Sequence, residues 1–262
     1  MLSRRSRRTC LAVLVVMFVG VAPAFPQAAT TEFSDEWKFA VAPYLWATSI
    51  DADATLGPLT VPLVVPFSDI LDSLDFAFAA HFIGKKGAWG FDLDVTYVDL
   101  GIDLKDQLPA LPGLEDAAPF MDFKMTLAEG FGSYRLGAEE KWFEVFAGLR
   151  YMKMKDTLEL TLAERERLVF DESWVDAMVG IRTKTDLGSK FLLTGRADVS
   201  AGGSDFTYNL MAGLAFHASK KISILAEYRY LNVDYNNGQE GAQFFAFDGA
   251  MKGPLLGVGI RF

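Results

Sequence analysis

The sequence predicts an all-β fold: a closed antiparallel transmembrane β-barrel of about ten strands, with eight as the alternative count. Three observations carry this. First, in the stretch 253–262, Leu256, Val258, Ile260 and Phe262 alternate with Gly257, Gly259 and Arg261. That is the period of two expected of a strand with one apolar and one small or charged face. Second, strand-length runs with the same alternation recur along the chain, separated by turn residues. Third, beyond an N-terminal leader no segment approaches the roughly 18 consecutive apolar residues of a membrane helix. The chain is nevertheless 51% hydrophobic and carries 22 Phe, so its apolar side chains need a destination other than helices.

Residues 1–24 read as a secretory signal peptide. Arg4, Arg5, Arg7 and Arg8 form a basic start, Leu11–Val21 an apolar core too short to span a bilayer, and Ala22-Pro-Ala24 a small-x-small cleavage site, with Ala28 or Ala29 as a second choice. Residues 25–36 form a short N-terminal periplasmic segment and 37–262 the barrel. The chain's formal charge is −9; without the four leader arginines, 21 basic residues face 34 acidic ones, a net of −13. This balance excludes nucleic acid as a partner, because phosphate binding needs concentrated Lys and Arg. The only cysteine, Cys10, lies in the leader, so the mature chain has no disulfide and no thiolate metal site.

The first strand runs from Trp37 to Ile50, with Trp37, Phe39, Val41 and Leu45 on one face. Pro43 within it is awkward in a closed sheet and marks a bulge or a local gap. Residues 51–73 form a long connection containing Pro58, Pro62 and Pro66 and a short helix over 67–74 capped by Ser68. Asp75–Ile83 is the second strand, with Phe76, Phe78 and Phe82 outward, and Gly84–Gly87 is a tight turn. The third strand sets Trp89, Phe91, Leu93, Val95 and Tyr97 against Asp92, Asp94 and Thr96. Residues 103–120 form a second long connection.

In the fourth strand, 121–137, Met121, Phe123, Met125 and Leu127 mark one face and Tyr134 and Leu136 the other, which predicts a bulge between them. The fifth sets Phe143, Val145, Leu149 and Tyr151 against Glu144 and Arg150, and 155–173 is a third long, charged connection. The sixth opposes Val175, Val179 and Ile181 to Asp176 and Arg182. The seventh opposes Phe191, Leu193 and Val199 to Arg196 and Asp198. The eighth carries Phe206, Tyr208, Leu210, Leu214 and Phe216 on one face. The ninth opposes Ile222, Ile224, Tyr228 and Tyr230 to Glu227 and Arg229; residues 236–247 form a loop before the last strand.

Long and short connections tend to alternate, and an even count places both termini at one end, in the periplasm. One face of the strands is apolar almost throughout and the other carries charges of both signs. With water outside, that apolar face would be one large exposed patch; with lipid outside, it is what the solvent requires. A soluble β-sandwich or barrel with its apolar faces packed together is the alternative.

The terminal strand ending in Phe262 resembles that of the outer-membrane β-barrel proteins of Gram-negative bacteria, in which it serves as an assembly signal. Pro43-Tyr-Leu-Trp46, Trp89-Gly-x-x-x-Asp94-x-x-Tyr97 and Glu227-Tyr-Arg-Tyr230 add a likeness to the small barrels grouped with outer-membrane proteins A and W. The resemblance implies insertion by the barrel-assembly machinery, outer-membrane lipid and lipopolysaccharide as surroundings, and a monomer.

The polar face then lines the lumen. Lys38, Asp92, Asp94, Glu144, Arg150, Asp176, Arg182, Arg196, Asp198, Glu227 and Arg229 are predicted to form a charge network there, either as a structural ladder of mutually paired ions or as the lining of a narrow passive channel for small solutes. Only His81 and His217 offer imidazole chemistry; both fall beside short turns, at the periplasmic end, as turn or interface residues. The expected role is structural or envelope-interacting, without catalytic residues, cofactor or metal. A barrel enzyme acting on lipid or peptide, and a soluble periplasmic β-protein binding a small hydrophobic ligand, are the alternatives. The loop acids Asp103, Asp106, Glu115 and Asp116 solvate their loop or bind divalent cations.

Overall fold

The computed structural model describes residues 35–103, 118–137, 141–161 and 165–262. The leader, its cleavage sites and Asp106, Glu115 and Asp116 lie outside these residues. The strands are β1 (Lys38–Trp46), β2 (Ser49–Leu56), β3 (Leu59–Val65), β4 (Leu74–Lys86), β5 (Trp89–Asp103), β6 (Ala118–Gly137), β7 (Lys141–Thr161), β8 (Arg165–Leu187), β9 (Phe191–Ala201), β10 (Phe206–His217), β11 (Ile222–Asn236) and β12 (Phe245–Arg261), with one helix, α1 (Phe67–Asp72). All pairings are antiparallel, each strand from β4 to β12 pairs with the next, and β12 returns to β1. β1 and β2 follow one another along β12, so they act as a single stave in a closed ten-stave barrel. β3 folds back on β2 beyond the wall.

Closure brings the start of β1 and the end of β12 together at one rim, where Phe39 and Phe262 exchange backbone hydrogen bonds of 3.0 and 3.3 Å. The outer face near this proximal rim carries an aromatic collar: Phe39 stacks on Trp37, Phe82 and Phe262, and Trp89 meets Tyr134 edge-on at 4.8 Å. A second collar, including Phe76 with Tyr97 and Tyr208 with Tyr230, lies toward the distal rim. The side chains between them are apolar and uncovered: Leu45 is 70% exposed and Leu256 60%, whereas Asp92, Glu144 and Arg150 inside are fully buried. Two aromatic girdles bounding an apolar band are the outer surface of a membrane barrel.

Past the distal collar the pattern inverts. β6, β7 and β8 are 20, 21 and 23 residues long, whereas a tilted strand crosses a bilayer in about 9–11. Their outward faces there carry ion pairs, Lys124 with Asp99 at 2.7 Å and Lys153 with Asp171 at 2.7 Å. Their inward faces join Ile50, Leu56, Leu63, Leu100, Leu231, Val233, Phe245 and Met251 in a buried apolar core. Trp174 stacks on Tyr235 within it at 3.8 Å. Above the membrane the cylinder is built like a soluble protein.

This inversion corrects several expectations. β6 has no bulge: it pairs without a register shift to β5 and β7. Met121, Phe123, Met125 and Leu127 face inward to the distal core, and Tyr134 and Leu136 face outward to the belt. Residues 155–173 are chiefly the paired distal ends of β7 and β8 rather than a loop. Residues 51–73 hold the β2–β3 hairpin and α1. The helix is capped at Pro66 with no side-chain cap bond, and Ser68 lies inside it, its hydroxyl donating to Asp69. The first short turn is Gly87-Ala88 rather than Gly84–Gly87, with Gly87 at φ 60°. β11 reaches Asn236 and β12 begins at Phe245, which shortens the last loop.

One carboxyl sits inside the distal core. Asp156, on β7 above the Tyr151 level and so outside the membrane band, pairs between Phe123 and Phe170 and is buried. Burial, with the nearby Asp122 charge second, pushes its pKa up to about 8. The folded state therefore holds the proton more tightly than the unfolded chain. The neutral acid costs no stability below its ordinary pKa, and stability falls as pH rises from there toward 8. Asp156→Asn is expected to flatten that fall: urea midpoints of variant and parent should be close at pH 4 and separate in favour of the variant at pH 9.

Candidate functional site

The polar residues cluster in the membrane-level lumen in two layers. In the proximal layer, Arg182 forks onto Asp92 with bonds of 2.9 and 3.1 Å and also donates to Glu144 at 2.6 and 2.9 Å. Lys85 donates to the same Glu144 and to Ser133, and His81 Nε2 lies 2.9 Å from Asp92. Forked guanidinium–carboxylate contacts fix both partners in plane, which suits Arg better than Lys at this position.

The second layer, nearer the distal core, is centred on Glu129. It accepts from Arg150 Nε at 2.8 Å, Arg196 at 2.7 Å and Arg229 at 3.3 Å. Asp198 takes a second donor from Arg150, one from Arg196 at 2.7 Å and one from Asn209 at 2.8 Å. Arg229 also donates to Asn209 Oδ1 at 3.0 Å, and Tyr44 donates its hydroxyl to Asp94 at 2.8 Å. Between the layers Phe131 and Phe146 stack at 4.5 Å, with the Arg196 guanidinium 5.0 and 5.2 Å from their centroids. Ions removed from water are thus matched by opposite charge, fixed amides or aromatic faces, as burial demands.

Of the predicted network, Asp92, Asp94, Glu144, Arg150, Arg182, Arg196, Asp198 and Arg229 meet in these layers. Three residues differ. Lys38 points inward beside Lys85 but lies exposed at the proximal rim, outside the layers. Asp176 serves the distal β9–β10 turn, accepting from the Gly203 and Ser204 amides at 2.9 and 2.7 Å and from the Ser204 hydroxyl at 2.6 Å. Glu227 accepts from Thr194 at 2.6 Å. His217 lies at the proximal rim as expected, beside Ser223 and Arg261, but His81 is a lumen residue rather than a turn residue.

Glu129 escaped the sequence reading because it lies between the two apolar sets of the fourth strand, where a bulge was expected and neither face was assigned to the lumen. Tyr134 and Leu136 on the opposite parity were the signal that could have placed it inside. Lys85, Tyr44 and Asn209 are further members that alternation alone did not single out.

Alongside the ion layers, and extending toward the proximal rim, is a cavity of about 260 Å³ bordered by His81, Lys85, Arg182, Thr194, Glu227 and Arg229. A second cavity, about 460 Å³, opens in the wall between β1 and β4 and is lined almost wholly by apolar side chains. No cluster of His, Cys, Asp and Glu suited to a metal ion occurs among the described residues.

No protein-family model matches the chain, and no curated protein matches its sequence. Among solved structures it is similar to the outer membrane protease OmpT of Escherichia coli, at TM-score 0.55 and 8% identity over 89% of this chain and 99% of that one. The chain folds as an outer-membrane β-barrel. It is also similar to the translocator domain of the autotransporter NalP from Neisseria meningitidis, at TM-score 0.44 and 14% identity over 87% of this chain and 89% of that one. At such identities the likeness concerns the backbone alone, and it does not single out the protein A and W group that the sequence motifs resemble. Ten staves, outward aromatic girdles and an ion-filled lumen are the attributes this barrel shares with a membrane setting.

Removing one member of a buried ion cluster strands the others, at a cost of roughly 3–5 kcal/mol. Glu129→Gln should lose stability on that scale, read from urea unfolding in lipid vesicles, because three guanidiniums lose one carboxylate. Lys38→Ala at the exposed rim should leave the midpoint within error.

Proposed function

We propose that this barrel is a non-conducting outer-membrane platform that carries a rigid β-cylinder outside the cell. The observation that supports it is the filling of the interior. The distal half holds a buried apolar core, and the charged side chains at membrane level, including those beside the proximal cavity, are paired with one another. Of the two readings of the charge network, the structural ladder is favoured over a passive channel. Pores need ions that bind weakly enough to be left behind, and here the charges satisfy one another.

In this reading the leader directs export and is cleaved. The apolar belt contacts outer-membrane lipid and lipopolysaccharide, the terminal strand with Phe262 is presented to the barrel-assembly machinery, and the protein is a monomer. The charged outer face of the distal cylinder faces water and provides the envelope-interaction surface. A catalytic role has little to draw on: His81 is engaged by Asp92 inside the lumen, and His217 by Ser223 and Arg261 at the proximal rim.

Two measurements test the proposal. Reconstituted in planar bilayers, the protein should give no conductance steps, and regular ohmic openings would refute the closed lumen. On intact cells, a membrane-impermeant thiol reagent should label Lys153→Cys, on the distal cylinder, and spare Lys220→Cys, in the proximal turn. The reverse pattern would invert the topology.

A further inference from the structure

The barrel wall is incomplete on one side. β1 pairs with β4 only as far as Pro43 opposite Ala80. Beyond that, Tyr44, Leu45 and Trp46 pair with β12 alone, while Leu74 and Phe76–Ala79 pair with β5 alone, with a bulge at Asp75. Proline, which lacks an N–H, is the last residue of the β1–β4 ladder, so the seam stops where a donor is missing. Chain geometry holds the strands apart: β1 jogs at Ala47-Thr48, where Ala47 N donates to Pro254 O at 2.8 Å, and α1 follows the hairpin into the distal end of the opening.

The opening leads into the 460 Å³ cavity. Its outer lip is made of side chains that belong to the lipid-facing belt, Leu45, Phe78 and Leu256, all largely exposed. Its inner wall is the distal apolar core, with Leu100, Phe123 and Met125 facing it. At its deep end Tyr44, bonded to Asp94 and Thr96, separates it from the proximal cavity. α1 shows Phe67 and Leu71, four residues apart, to the exterior, while Ile70 is buried in the core. Its exposed acids Asp69 and Asp72 mark the aqueous side. A helix of this kind lies at the membrane surface with its apolar side toward the lipid.

We propose that this cavity is a binding site for one acyl chain of an outer-leaflet lipid, inserted sideways between β1 and β4. The occupant is set by continuity and by lining. The mouth belongs to the belt that already touches acyl chains, the volume falls in the range of ligand pockets, and the walls give an apolar chain contact without demanding a polar partner. A cavity of this size left empty would forfeit dispersion contacts along its whole lining. The head group stays outside, at the level of the aqueous face of α1. This assignment rests on the membrane placement of the barrel and not on its closed lumen.

The test uses full-length protein in vesicles containing a phospholipid with a photoactivatable group midway along one acyl chain, with adducts located by peptide mass spectrometry. Adducts are expected on the inward-facing Leu100, Phe123 or Met125, which lipid packed around an intact wall cannot reach, together with adducts on the belt at Leu45, Phe78 or Leu256. Ala77→Phe, which fills the cavity, should abolish the inner adducts and keep the belt ones; retained belt adducts and heat-modifiable migration show that the variant is folded and inserted. Belt adducts without inner ones in the parent protein would overturn the site. So would inner adducts formed only by a photoactivatable free fatty acid, which would make the occupant a soluble apolar ligand. Loss of all adducts in the parent would instead overturn the membrane placement.

Discussion

Each long strand of this barrel changes solvent partway along its length, and the rest of the structure follows from that change. At membrane depth the outer face meets acyl chains, so it must be apolar and the sheet must close to pair its backbone groups. The lumen there can hold polar side chains. Above the membrane the outer face meets water, the polar side chains move outward, and the interior must supply the hydrophobic stabilisation that lipid supplied below. In β7 the apolar parity passes from Val145 and Leu149 outside to Met152 and Met154 inside. In β8 it passes from Val175 and Val179 outside to Phe170 and Trp174 inside. β11 and β12 behave alike, with Ile224 and Ile260 outside and Val233 and Phe247 inside.

This change of parity explains what could and could not be read in the sequence. The barrel class, the outward Phe positions of β4 and β5 and most of the lumen ions were legible, because in those segments one solvent governs one face. The fourth strand was misread because a reversal of apolar parity in one run is the mark of a bulge when the surroundings are uniform. Here the backbone continues without interruption from Ala118 to Gly137 and the surroundings change instead. Glu129 lies just on the membrane side of that reversal and was lost with it. The distal halves of β7 and β8 were taken for a charged loop for a related reason: Lys153, Lys155 and Asp171 are an outward, hydrated strand face. Pro43 was the exception, a local feature whose consequence, a gap in the sheet, needed no knowledge of the surroundings.

The ion layers also answer a question of specification. In the membrane band a strand could satisfy lipid outside and dry packing inside with apolar residues on both faces. Such a strand would have no preferred parity, and a one-residue slip in register would cost little. With Glu129, Arg150, Arg182 and Arg196 on alternate positions, a slip would drive several ions into lipid at once. Buried ion pairs contribute little net stability compared with apolar packing of the same volume, but they make the inverted alternatives expensive. The stacked Phe131 and Phe146 between the layers add packing that the ions cannot, and the Arg196 guanidinium lies against both rings.

The gap beside β1 belongs to the same logic. A closed sheet in lipid tolerates missing ladder bonds only where protein, water or interface covers the strand edges. The seam opens where β1 runs toward the distal collar, beneath a helix that carries acids on one side and Phe67 and Leu71 on the other. That is the depth at which lipid and water are both within reach of the backbone. From the proximal rim at Lys38 through the belt to Pro43, the β1–β4 ladder is intact and the wall is sealed. The incomplete pairing is therefore confined to the one stretch of the wall where its polar groups have somewhere to turn, and the space it leaves faces the side from which an apolar chain can enter.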